Sequence, residues 1–198
     1  DGLSTRLLRL RNRRGVRDAF KRFRAGPYYY RVMSLVFRVG SLLPRRDVAV
    51  FESDRGNAYG GSPRALFERL HERGTTLDLV YVNNSTLRVP PGTHKVFRLT
   101  PRYFWTMSRA RYWVFNHNVH DICRRPRGTH FLQTWHGTPL KRMQNDVPVM
   151  HGRADDYHQK AQELVDRWSS LVSPSPYATN AFRSAFGFDG PIIESGYP

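Results

Sequence analysis

The chain has 198 residues, 39% of them hydrophobic and 13% aromatic, a globular composition rather than a disordered one that predicts a packed core. Lys and Arg number 32 against 16 Asp and Glu, so the net charge is +16 and the natural partners are polyanions: nucleic acid, anionic lipid or a phosphate-bearing substrate. One cysteine, Cys123, excludes an internal disulfide framework and a multi-cysteine metal site, and fits a reducing compartment.

The charge is uneven. Residues 1–46 carry 13 basic and 2 acidic residues. Within them "LSTRLLRLRNRRGVRDAFKRFR" sets Leu3, Leu7 and Leu10 on one helical stripe among arginines, with Phe20 and Phe23 following. This reads as a basic amphipathic helical segment able to lie on anionic lipid; a solvated helix or linker fits the pattern equally. No apolar run reaches the roughly 20 residues of a membrane-spanning helix, and the Arg-rich start is unlike a signal peptide. "AGPYYYRVMSLVFRVGSLLP" follows, bounded by turn signals at Gly26-Pro27 and Pro44, an apolar run expected to pack on the next domain or on the membrane.

From Asp47 onward strands and helices alternate. "DVAVFES" is expected as a buried strand, Ser62-Pro63 as the start of a helix through "RALFERLHERG", and "LDLVYVNN" and "HKVFRL" as strands. Pro101 opens a helix in "PRYFWTMSRAR"; "YWVFNHN" and "THFLQTW" are strands; "ADDYHQKAQELVDRW" is a helix. "SLVSPS", the helix "YATNAFRSAFG" and the strand "PIIES" complete the pattern. Apolar strands separated by helices predict a doubly wound α/β fold with a Rossmann-like parallel sheet, spanning 47–198 after the basic segment 1–46.

Ligands of such sheets collect beyond the carboxyl ends of the strands, so the loops after the strands carry the candidate site residues. In "FLQTWHGTPLKRM", Thr138 suits an N-cap and Pro139 a first helical position, which predicts a helix N-terminus facing an anion. Gly137 would allow close backbone approach and Lys141 would add charge. His136 at its edge is either a general base or an ordinary loop histidine. After the first strand, Arg55, Gly56, Asn57 and Tyr59, with Gly60 and Gly61, form a Gly-rich turn suited to phosphate or to a plain strand-to-helix connection. Asn116 and His117, together with Asn118 and His120, are candidates to line the same cleft; Asp146 could orient or oppose His136, and Ser175 could meet phosphate or simply cap its helix. No spacing argues for a metal, and no metal or other cofactor is expected.

Three stretches in order, "FESDRGNAYGGSPRALFERL", "QTWHGTPLK" and "SPSPYATNAFRSAFGFDGPIIESGYP", resemble the CDP-glycerol glycerophosphotransferase family, the teichoic acid polymerases and primases of bacterial walls. The resemblance implies the N-terminal, acceptor-side lobe of a GT-B transferase, with the nucleotide-binding lobe absent from this chain, and His136 as catalytic base. It further implies a CDP-glycerol or CDP-ribitol donor, a lipid-linked polyol-phosphate acceptor, release of CMP, and a peripheral place on the inner face of the plasma membrane, with no nucleic acid partner. Two other readings compete: a non-catalytic basic module holding nucleic acid or an anionic polymer, and a GT-B glycosyltransferase using a sugar nucleotide.

Overall fold

A computed structural model describes residue 23 and residues 26–84, 89–147 and 156–197. The stripe at Leu3, Leu7 and Leu10, and Phe20 with it, lies outside the described residues. Among residues 26–197 the first element is a helix, α1 (Pro27–Leu42), in the segment expected only as an apolar run. Pro27 starts it, and Tyr29, Met33, Phe37 and Gly40 fall at helical spacing on its buried side.

Seven strands follow: β1 (Arg46–Glu52), β2 (Asp78–Asn83), β3 (His94–Phe97), β4 (Ala110–Phe115), β5 (His130–Gln133), β6 (Ser170–Ser173) and β7 (Ile192–Glu194). All neighbours pair in parallel, in the order β3-β2-β1-β4-β5-β6-β7. The order reverses between β1 and β4, and that switch point is where a doubly wound sheet opens a crevice. Helices α2 (Gly61–Arg73), α3 (Pro101–Arg109), α4 (Tyr157–Val165) and α5 (Pro176–Phe186) connect the strands. Thr100 caps α3, its hydroxyl accepting from the Tyr103 N–H at 3.2 Å, ahead of Pro101; Ser175 caps α5 in the same way from Ala178 at 3.3 Å, ahead of Pro176.

Alternation along the strands divides the core. Val48 and Val50 of β1, Val80 and Val82 of β2, Trp113 and Phe115 of β4 and Phe131 of β5 face α1, α3, α4 and α5, meeting Phe37, Phe104, Met107, Val165 and Phe182. Ala49, Phe51, Leu79, Tyr81 and Val114 face the other way, onto Phe67 of α2. Helix α1 belongs to the first layer: the Tyr29 hydroxyl donates to the Leu99 carbonyl at 2.6 Å, and Phe37 lies 6.5 Å from Trp113. Arg45 donates to the carbonyls of Ser41 (2.7 Å) and Ser108, which ties the end of α1 to α3. Residues 27–42 of the segment 1–46 therefore pack as part of the α/β lobe.

Candidate active site at the carboxyl edge of the sheet

The apolar layer ends in polar side chains. On the face that carries Val48 and Val50, the next position along β1 is Glu52; the face of Phe131 continues to Gln133, and that of Leu171 to Ser173. All three are 0% exposed. His117, stacked on Phe115 with ring centroids 5.6 Å apart, joins them from just beyond β4 and is 8% exposed. A buried carboxylate needs compensation, and Glu52 receives it from the Arg98 Nε at 2.6 Å, while the His117 Nε2 lies 3.4 Å from the same oxygen. The His117 Nδ1 faces the Asn118 carbonyl at 2.8 Å.

Three loops rise from this floor. The first follows β1 and is strained: Asp54, Arg55 and Gly56 have φ of 45°, 54° and 79°, a left-handed path that costs about 1–3 kcal/mol at each non-glycine position. Its supports are distant in sequence. The Asp54 N–H donates to the Asn116 side-chain oxygen at 3.0 Å, the Asn84 amide N–H donates to the Gly56 carbonyl at 2.7 Å, and the Asn84 side chain donates to the Arg55 carbonyl at 2.7 Å. A Cβ at Gly56 would stand 3.2 Å from the Asn84 nitrogen, so glycine is demanded by contact as well as by φ. Arg55 and Asn57 are exposed on this turn. Tyr59 is directed elsewhere: its hydroxyl donates to Glu68 at 3.1 Å and its ring lies 4.7 Å from Tyr81, with burial and Glu68 holding the phenol pKa well above its ordinary value.

The second loop supplies Asn116 and His117, already placed by Asp54 and Glu52. The third carries His136, and here one expectation fails. No helix begins at Thr138: residues 134–143 form an irregular loop. The Thr138 hydroxyl pairs with the Tyr197 hydroxyl at 2.7 Å instead of capping, and the Pro139 carbonyl accepts from the Tyr177 hydroxyl of α5 at 3.2 Å. An anion at this loop would meet the side chains of His136 and Lys141 and the open backbone at Gly137, where no atom lies within 4 Å of a built Cβ, rather than a helix terminus.

His136 is exposed on the third loop, with its ring stacked on Trp135 at 4.3 Å and 23°. Burial by the surrounding loops nevertheless pulls its pKa below the ordinary histidine value; His117 acts in the same direction and the Asp54 carboxylate against it. His136, His117 and Asp54 thus share one electrostatic environment. Asp146 is not the carboxylate that acts on His136: it accepts from the Ser184 hydroxyl of α5. Ser175 is occupied as the α5 cap.

Glu52, Asp54, Arg98 and Gln133 were not among the residues expected from the sequence. Glu52 and Gln133 read there as strand residues. Their signal was a charged or amide side chain closing an apolar alternation at the carboxyl end of a strand, which is where a doubly wound sheet holds its ligand.

The fold is thus a Rossmann-like parallel α/β lobe, with its candidate site residues on the loops after β1, β4 and β5. Residues 34–198 match the family described as CDP-Glycerol:Poly(glycerophosphate) glycerophosphotransferase, and the chain belongs to that family. It is 37% identical over 177 residues to the teichoic acid poly(glycerol phosphate) polymerase of Bacillus spizizenii W23, covering 85% of this chain and 45% of the relative. It is 33% identical over 168 residues to the teichoic acid glycerol-phosphate transferase of Staphylococcus aureus NCTC 8325, covering 82% of this chain and 43% of the relative. Among solved structures, a variant of the wall teichoic acid polymerase TagF soaked with CDPG superimposes with a TM-score of 0.76 at 29% identity, over 84% of this chain and 43% of that one. The chain thus spans less than half the length of these relatives.

Proposed function

We propose that this chain is the acceptor-side lobe of a transferase that moves glycerol phosphate from CDP-glycerol to the terminal hydroxyl of a lipid-linked polyol-phosphate polymer and releases CMP. The observation that carries the reading is His136: a partly desolvated imidazole on a rigid aromatic base at the carboxyl edge of the sheet, in a chain whose relatives are named for this reaction. His136 takes the proton of the acceptor hydroxyl as its oxygen attacks the β-phosphorus. The new P–O bond forms while the bond to the CMP oxygen breaks. Arg55 and Lys141, exposed on the first and third loops, offset charge on the phosphoryl group; Gly137 leaves room beside them. Asn116 and His117 support this edge from beneath. CDP-glycerol is preferred over CDP-ribitol because the family description and the relatives' names specify glycerol phosphate.

The acceptor is lipid-linked in this reading, and α1 supports contact with an anionic membrane at the inner face of the plasma membrane. Its outer side presents Tyr28, Val32, Leu35, Val39 and Leu42, between 46% and 86% exposed, with Arg31 and Arg38 beside them. Apolar side chains at this spacing flanked by arginine suit a headgroup boundary. Among the described residues no helix is long and apolar enough to cross a membrane.

The test is nucleotide release by the full-length protein, CMP from CDP-glycerol or CDP-ribitol and nucleoside diphosphate from nucleotide sugars, before and after His136→Ala. Expected is release from CDP-glycerol that falls by about 10²–10⁴-fold in the variant. Unchanged release in the variant would remove His136 as base, and release from a nucleotide sugar alone would replace the donor.

A further inference from the structure

The loop that carries His136 is held by two residues that make no part of the proposed chemistry. Gln133 ends β5 with its side chain fully buried. Its Oε1 accepts the Trp135 N–H at 2.9 Å, and its Nε2 donates to the His117 carbonyl at 3.2 Å. One amide side chain therefore joins the His117 loop to the His136 loop. Trp135 then leaves the strand with φ of 53°, a conformation that a bulky residue adopts only when its surroundings hold it there. The Gln133 bond to its N–H is one such hold. The indole is another: it packs against Phe186 (4.7 Å), Phe182 (6.2 Å) and Trp168 (6.2 Å), and the His136 ring stacks on it.

We infer that Gln133 and Trp135 are positioning residues for His136: the Gln133 amide fixes the left-handed turn at Trp135 and the spacing to the His117 loop, and the indole fixes the plane and depth of the imidazole. The inference rests on His136 being the base proposed above. An amide suits the position because it must donate and accept at once; glutamate would lose the donor and methionine both. The aromatic pack behind Trp135 is anchored in α5, so the imidazole is referenced to the core rather than to its own loop.

The test uses the full-length protein with CDP-glycerol, compares Gln133→Met, Trp135→Leu and Trp135→Phe, and includes His136→Ala as reference. Misplacement of a reacting group by about 1 Å costs about 100-fold, so kcat is expected to fall by about that factor in Gln133→Met and Trp135→Leu, with KM for CDP-glycerol unchanged. Trp135→Phe, which keeps a ring against His136, restores most of the rate. The titratable groups acting on His136 are His117 and Asp54, which all three variants keep. Freeing the imidazole from its partly buried position then moves the acidic limb of the rate profile to higher pH in Gln133→Met and Trp135→Leu. A thermal melt separates loss of fold from loss of position, and Trp135→Phe keeps the question answerable if Gln133→Met does not fold. If His136→Ala is inactive while Gln133→Met and Trp135→Leu keep wild-type kcat and an unmoved limb, the inference is overturned. If His136→Ala keeps its activity, the fault lies in the reading of the base.

Discussion

Glu52 and Arg98 meet at 2.6 Å across 46 residues of chain, with the carboxylate side chain 0% and the guanidinium 12% exposed. Removing one member of such a pair strands the other charge in a poorly hydrated place. Glu52→Ala is expected to destabilise the protein by about 3–5 kcal/mol, while Glu52→Gln, which keeps an oxygen for Arg98, costs less. Urea unfolding of both variants checks the order, and equal midpoints would show that the charge contributes nothing.

Gly40 reverses a usual rule. Gly→Ala inside a helix ordinarily stabilises by up to about 1 kcal/mol. Here a methyl group would run into the Ser108 side chain of α3 and stand 3.4 Å from Trp105. Gly40→Ala should therefore destabilise, by about 1–3 kcal/mol, by pushing α1 off α3. A raised melting temperature would contradict this packing.

If His136 is the base proposed above, the pH profile of transfer by the full-length protein follows its titration. Its lowered pKa keeps the imidazole unprotonated, and so able to act as base, to below the ordinary histidine value, with rate lost as pH falls through the shifted pKa. Asp54 favours the protonated form, so Asp54→Asn should move the acidic limb to still lower pH. A limb that moves upward in this variant would mean that Asp54 acts on some other group.

Membrane contact through α1 makes a separable prediction. Leu35 and Val39 are 62% and 46% exposed, so Leu35→Asp with Val39→Asp should leave the melting temperature nearly unchanged while weakening binding to phosphatidylglycerol vesicles by about 10-fold or more. Binding should also fall with added salt, because Arg31 and Arg38 flank the stripe. Vesicle sedimentation measures both, and undiminished binding by the double variant would move the contact away from α1.

Much of the sheet was legible because its strands are apolar runs punctuated by Pro and Gly, and because Thr100-Pro101 and Ser175-Pro176 are helix starts that the structure uses as such. Thr138-Pro139 carries the same local signal and starts nothing. Its hydroxyl and carbonyl are taken by Tyr197 and Tyr177, partners 59 and 38 residues away, and no local pattern encodes that competition. Helix α1 was read only as an apolar run for a different reason: Val32, Leu35 and Val39 sit among Arg31 and Arg38 on its exposed side, which blurs the contrast that marks a surface helix. His136 was visible, and its surroundings were not. Asp54 draws its meaning from Asn116 and Gln133 from His117, residues that only the folded sheet brings beside them.

The row of polar side chains along the sheet's upper rim has a bearing on how the chain folds. In β1, Glu52 is aligned with Phe115 of β4. Because side chains alternate, a slip of one residue would turn Glu52 toward α2 and away from Arg98, and bring Ser53 into its place. Apolar neighbours would tolerate such an error at modest cost, since Val, Ala and Phe alternate along β1 and either face is greasy. A carboxylate paired with Arg98 would not. The buried polar residues at this edge would thereby favour the native strand register over one shifted by a single residue.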